Sequence, residues 1–251
     1  MDIGLIGCGN MARALARGWG RPLVCSDPLA ERAEALAAEV GGEALADNAA
    51  VAARADLLVL CHKPAQLRAV AAEVAPHARG AVASILAATP LAALREAYPQ
   101  RAVYRFIPSL PVEVRQGAVV QAAGEVQDPG QDAQVAALFA ELGTLVVLDD
   151  ALVDVAMGLM SCAPAYVALV AEAQIDAGVR RGIPSAQGAQ LVVQTLAGTA
   201  ELLRVRGNDT MAVRREVASP GGLTARGLDA LERGGLRAAF SNALDAVLET
   251  G

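Results

Sequence analysis

The chain is poor in the residues that recognition by charge or by metal requires. Its 251 residues include one lysine (Lys63), two histidines (His62 and His77), one tryptophan and four cysteines. Two histidines exclude a histidine-built metal centre. Cys8, Cys25, Cys61 and Cys162 lack the C-x-x-C spacing of a zinc site or redox pair, so they are expected to be reduced, small hydrophobes. The formal net charge is -6. Its densest basic group, Arg204, Arg206, Arg214 and Arg215, reads as a solvated helix end, whereas a phosphate backbone needs a clustered basic face. The expectation is no metal and no nucleic-acid partner.

Uninterrupted apolar runs are scarce as well. Residues 81–94 contain Pro90, and residues 151–174 contain Asp154, Pro164 and Glu172. Neither is expected to supply the run of about 20 apolar residues that a membrane span takes. Met1 is followed almost at once by a strand-like segment, not by a charged start and an apolar signal region. These absences lead to the expectation of a cytoplasmic protein without membrane contact.

What is present starts at the N-terminus. Asp2–Ile6 is a short apolar run, Gly7-Cys8-Gly9-Asn10-Met11-Ala12 follows directly, and Ala14–Trp19 has helical character. Strand, glycine turn and helix are the setting in which G-x-G-x-x-G/A binds a dinucleotide. Gly7 makes the tight turn, Gly9 lets backbone approach the pyrophosphate, and Ala12 lets helix and strand pack closely. A second strand, Leu23–Ser26, ends at Asp27, about 20 residues beyond the first glycine, where an acid meets the ribose hydroxyls. Asp27 also reads as a helix cap ahead of Pro28. In the ribose role its charge repels a 2′-phosphate and leans the protein toward NADH over NADPH, while Ser26 and Asn48 remain able to hold a phosphate.

To about residue 150 short apolar runs alternate with helical segments: 57–61, 81–85, 102–106, 118–121 and 144–148 read as strands. This pattern implies α/β architecture, a Rossmann-type, doubly wound parallel sheet over 1–150 with helices on both faces. From 151 to 251 only helices are expected: one from near Pro164 to Val179, one from Pro184 to about Arg204, one after Gly222, and one over 236–248. The 184–204 segment is apolar around much of its circumference and needs burial on more than one side. A helical dimerisation and substrate-binding domain is expected.

Ser219-Pro220-Gly221-Gly222-Leu223-Thr224 runs straight into one of these helices. The unpaired N–H groups of such a start attract an anion such as a carboxylate. With Ile6–Met11, Cys61-His62-Lys63-Pro64, Ala163-Pro164-Ala165-Tyr166-Val167, Gly182-Ile183-Pro184 and Gln194–Ala200, this turn makes the whole chain resemble the pyrroline-5-carboxylate reductase family. The resemblance implies NAD(P)H hydride transfer to a cyclic imine, giving L-proline. It implies cofactor contacts at Ile6, Gly7, Cys8, Gly9, Asn10, Met11, Ser26, Asp27, Asn48, Cys61, His62, Lys63, Pro64 and Ala87. The substrate carboxylate would sit on Ser219, Gly221 and Gly222, beside Leu223, with Thr224 as the catalytic residue near the ring nitrogen. A homodimer is implied, and larger rings of dimers occur in the family; Asp150 and Glu216 stand at family positions near the cofactor across the dimer.

Departures from the family pattern lie near the pocket: Pro108-Ser109-Leu110-Pro111 for Pro-Asn-Thr-Pro, Leu223 for threonine or alanine, and Ser161-Cys162 before Ala163-Pro164. They keep open a reductase of another small cyclic imine or keto acid, and a non-catalytic nucleotide-binding dimeric paralogue. A 2-hydroxyacid-type dehydrogenase would carry a catalytic lysine in its second domain, and this chain has none there.

Overall fold

A computed structural model describes residues 1–249; the last two residues of the expected helical domain lie outside them. The described residues form two compact units that divide after Pro164. In the first unit the elements in chain order are β1 (Ile3–Ile6), α1 (Asn10–Trp19), β2 (Val24–Ser26), α2 (Ala30–Val40), β3 (Glu43–Ala44), α3 (Asn48–Arg54), β4 (Leu57–Leu60) and α4 (Leu67–Val74). They continue as β5 (Ala81–Ser84), α5 (Leu91–Ala97), β6 (Val103–Pro108), β7 (Gly117–Ala122), α6 (Pro129–Ala140), β8 (Gly143–Leu148) and α7 (Val153–Met160).

The strands make one sheet in the order β3-β2-β1-β4-β5-β6-β7-β8. All neighbours are parallel except β6 and β7, which pair antiparallel with Ile107 opposite Val120. This departs from the wholly parallel sheet expected. The connection over residues 109–116 is shorter than the dozen or more residues a parallel crossover takes, so the chain can only double back.

Strand residues alternate between two cores, as a sheet covered on both faces requires. Leu5, Leu57, Val59, Ala83 and Phe106 face α1, α2 and α6. Ile6, Leu58, Leu60, Val82 and Ile107 face α3, α4, α5 and α7. On the first face the Trp19 indole N–H donates to the Leu138 carbonyl at 3.0 Å. Its ring meets Phe139 edge-on at 5.6 Å, and Phe139 stacks on Phe106 at 3.8 Å. Each large side chain so buried contributes about 1.5–3 kcal/mol.

The second unit holds most of α8 (Ala163–Val179), then α9 (Ser185–Val205), α10 (Thr210–Val217), α11 (Leu223–Arg233) and α12 (Leu236–Leu248). The helices starting near Pro164, Pro184, Gly222 and Leu236 were legible in the sequence; α7, α10 and the two-residue β3 were not. Within this unit almost nothing is buried. Leu169, Leu191 and Val193 are 64, 60 and 59 % exposed. A helical array this apolar and this open requires a cover.

One expectation needs correcting. The stretch Asp150–Val179 is long and apolar enough to cross a membrane by length and composition, with a mean hydropathy of 1.7 over its most apolar 18 residues. The polar residues thought to interrupt it are absorbed in the average, and only Ser161-Cys162 separates the two helices. Its first part has another use. Val153 and Ala156 pack in the sheet's second core, and Asp150 and Asp154 both pair with Arg105 of β6.

Candidate active site

The carboxyl edge of the sheet carries the glycine turn. Gly7 adopts φ 96°, open to glycine at little cost, and its N–H donates to the Ser26 carbonyl at 2.9 Å. A Cβ there would stand 3.0 Å from the Cys61 carbonyl oxygen, while one on Gly9 would meet nothing within 4 Å. The open space over Gly9 is where a pyrophosphate could approach. Gly9 caps α1 with no side-chain hydrogen bond, and the first turn holds no acid, so its N–H groups are available to an anion.

Asp27 closes this turn. Its Oδ2 accepts the Cys8 backbone N–H at 2.8 Å and its Oδ1 accepts that of Leu29 at 2.9 Å. The residue that caps α2 is Leu29, so Asp27 is not that helix's cap. Sequence reading had no signal for the tie to Cys8, because it joins residues 19 apart across two strands.

A cavity of about 620 Å³ lies over this edge, lined by Ile6, Gly7, Gly9, Asp27, Asn48, Cys61, His62 and Lys63 among others. Eight of the expected cofactor residues thus come together. Cys8 is 2 % exposed, its thiol on the Ser26 carbonyl at 3.6 Å. Asn10 and Met11 open α1, and Pro64 opens a 3-10 turn. Ala87 is on the loop after β5, outside this cavity's lining. Ser26 is buried and donates to Asn48 Oδ1 at 2.7 Å, and Asn48 Nδ2 donates to Glu73 at 2.9 Å. Arg32 and Glu73 also line the cavity and went unnoticed in the sequence, since only the docking of α2 and α4 brings them there.

Lys63 and Gln66 brace the turn after β4: the Lys63 N–H donates to Gln66 Oε1 at 3.1 Å, and the Gln66 N–H to the Lys63 carbonyl at 3.0 Å. His62 Nδ1 lies 2.9 Å from the Lys63 carbonyl and, facing an acceptor, is the donor. Burial lowers the His62 pKa, so the ring is neutral near pH 7. A hydrogen bond to Cys25, with burial, pushes the Cys8 thiol up, and burial does the same to Cys61. Neither is a thiolate nucleophile. Among the described residues no three His, Cys, Asp or Glu side chains group as a metal site.

In the second unit the Gly222 N–H donates to the Ser219 carbonyl at 3.1 Å, closing the Pro-Gly-Gly turn, and Gly221 adopts φ 69°. A Cβ on Gly222 would stand 2.5 Å from Ser219 Oγ. Gly222 caps α11 without a side-chain hydrogen bond, and the first turn contains no acid. Thr224 is exposed in that turn and Leu223 is 82 % exposed. This is a second open helix start.

Residues 150–251 match the pyrroline-5-carboxylate reductase dimerisation family, and residues 2–88 match the family described as NADP oxidoreductase, coenzyme F420-dependent. The pyrroline-5-carboxylate reductase of Thermus thermophilus is 36 % identical over 100 % of this chain and 97 % of its own length. The chain belongs to the pyrroline-5-carboxylate reductase family. The enzyme of that name from Synechocystis sp. is 34 % identical over 98 % of this chain and 95 % of its own. The crystal structure of Plasmodium falciparum pyrroline carboxylate reductase with NADP bound superposes with a TM-score of 0.89 at 25 % identity, covering 100 % of this chain and 96 % of that one. As a member of the pyrroline-5-carboxylate reductase family, the chain is an NAD(P)H-dependent oxidoreductase acting on a C=N bond. The apolar faces of α8 and α9 fall within its dimerisation domain.

Proposed function

We propose that the protein reduces pyrroline-5-carboxylate to L-proline with NADH or NADPH, as a homodimer in the cytoplasm. The observation that carries this reading is the presence in one chain of two open helix starts. One lies behind the Gly7–Gly9 turn for a pyrophosphate, and one lies behind the Ser219–Gly222 turn for a carboxylate.

The residues fit the cofactor, because a cradle of glycine backbone stands open at Gly9 and a fixed carboxylate stands at Asp27. When bound, the nicotinamide supplies a hydride to the imine carbon; one proton and one hydride convert the imine to the amine. The chain's own part is placement. The free amides of the first turn of α1, behind Gly9, hold the pyrophosphate, and the outer lone pairs of Asp27 accept ribose hydroxyls. His62 and Lys63 wall the cavity at the end of β4. On the substrate side the turn over Ser219, Gly221 and Gly222 holds the carboxylate, and Thr224 bonds at the ring nitrogen. That nitrogen can be protonated before binding, so orientation matters more than acid strength. The carboxylate of Asp27 at the ribose position disfavours a 2′-phosphate and leans the enzyme toward NADH, against the pull of Arg32 and Lys63 in the same lining.

The apolar faces of the second unit are covered by another copy of the chain, in a dimer that can build larger rings, and not by lipid or nucleic acid. A reductase of another small cyclic imine or keto acid is favoured by one observation, the 82 % exposure of Leu223 beside the carboxylate turn. Ser109 favours it less. Its hydroxyl donates to the Ala118 carbonyl at 3.1 Å and accepts the Ala118 N–H at 2.9 Å, which commits it to the β6–β7 turn.

The test is nicotinamide oxidation by purified protein with pyrroline-5-carboxylate, using NADH and NADPH in parallel, alongside Thr224→Ala. Turnover that drops about tenfold or more in the variant is expected. Nucleotide binding without turnover would shift the assignment to another imine or to a non-catalytic paralogue.

A further inference from the structure

Arg105 is a buried cation that the reading above does not use. It sits on β6 with 1 % of its side chain exposed, and it holds two carboxylates at once. Nη1 donates to Asp150 Oδ1 at 2.8 Å and to the Asp150 carbonyl at 3.2 Å, and Nη2 donates to Asp154 Oδ1 at 2.6 Å. A guanidinium taken out of water persists only when its partners compensate it; removing one of them strands the charge.

Both carboxylates also reach a different loop. Asp154 Oδ1 accepts the Ala88 N–H at 3.2 Å, and Asp150 Oδ2 accepts the Leu91 N–H at 3.0 Å. Ala88 lies in the segment between β5 and α5, which contains Ala87, and Leu91 opens α5 at its end. The segment is held against its own preference: Ala88 has φ 49°, a left-handed backbone that a residue with a Cβ rarely adopts. The loop leaves the carboxyl end of β5, the edge over which doubly wound sheets bind ligands.

We infer that Arg105 is a positioning residue for the cofactor: through Asp150 and Asp154 it fixes the Ala87–Leu91 loop in the geometry that receives the nicotinamide half of the nucleotide. The inference rests on the reductase reading for the identity of the ligand. It assigns the start of the dimerisation domain, residues 150–154, a part in the nucleotide site of its own chain. The guanidinium does not touch the cofactor; it acts through the two acids. Lysine at this position offers a point charge where the fork is needed, and so retains one of the two carboxylates.

The experiment uses the full chain and compares wild type, Arg105→Gln, Arg105→Lys and Asp154→Asn. It measures the Kd for NADH and NADPH by fluorescence of the bound nucleotide, the KM for nucleotide and for pyrroline-5-carboxylate, kcat, and Tm. The expected result is a rise of about tenfold in nucleotide Kd and KM for Arg105→Gln, with the KM for the imine unchanged and Arg105→Lys intermediate; tenfold corresponds to about 1.4 kcal/mol. Asp154→Asn keeps an acceptor for the Ala88 N–H and is partly exposed, so it tests the same link should Arg105→Gln fail to fold. It is expected to show the same split in smaller measure. A fall in Tm and kcat with nucleotide Kd and KM unchanged in the folding variants would reduce Arg105 to a packing role and overturn the inference. Absence of turnover in the wild type would overturn the reductase reading instead, leaving nucleotide Kd to decide the positioning claim by itself.

Discussion

The carboxylate of Asp27 and the backbone N–H of Cys8 are 2.8 Å apart, so the acid at the end of β2 is part of the glycine turn itself. Its second oxygen takes the Leu29 N–H at 2.9 Å. One side chain therefore braces the glycine turn from both sides and leaves its charge at the end of β2.

Asp27→Ala should weaken both nucleotides, because two backbone donors lose their acceptor. A hydrogen bond to a charged group contributes about 1.5–3 kcal/mol, and a loss of about one such bond from the brace of the turn corresponds to about tenfold to a hundredfold in affinity. NADH should lose more than NADPH, since only NADPH gains from removal of the charge. Titration of both nucleotides checks this; equal losses would remove Asp27 from cofactor choice.

Gly9→Ala and Gly18→Ala should separate binding from folding. The new methyl on Gly9 meets no atom within 4 Å, so Tm should hold while nucleotide affinity collapses. The one on Gly18 would lie 2.3 Å from the Val112 carbonyl oxygen, between α1 and the turn after β6. Tm should fall there, by an overpacking cost of about 1–3 kcal/mol. Thermal melting followed through the buried Trp19, with nucleotide titration, distinguishes the two.

Leu191→Glu should break the assembly. This α9 residue is 60 % exposed in the single chain, and a carboxylate placed in an apolar contact would go unpaired. Sedimentation velocity should show dimer giving way to monomer, with activity lost in step. A variant that stays dimeric would move the interface off this face.

His62 sets a pH dependence whose sign follows from its burial. Its pKa in the folded chain is lowered from the ordinary 6.5, so below that value the unfolded chain binds the proton more readily. The His62 contribution is therefore fully retained above 6.5 and lost as pH falls toward the lowered pKa. Between about pH 7 and pH 5 the wild type should lose stability that His62→Leu keeps. Parallel melting curves across that range decide it.

Much of this protein was legible in local pattern. The β1–turn–α1 unit declares itself because strand, glycines and helix start are consecutive, and each obeys a short-range rule of backbone freedom or helix ending. The Ser219–Thr224 turn is legible for the same reason, and so are the helices that begin after Pro164, Pro184 and Gly222. What local pattern left out is what distance in the chain conceals. The antiparallel β7 depends on which way a short connection can turn. The Asp27–Cys8 tie, the Ser26–Asn48–Glu73 chain and the Arg105 clamp join residues that meet only when parallel strands stack their carboxyl ends. Sequence by itself determined the fold class, the glycine turn behind β1 and the family. Tertiary structure alone decided which side chains share a cavity, because hydrogen bonds over 3 Å depend on sheet order and helix docking, which no run of neighbouring residues encodes.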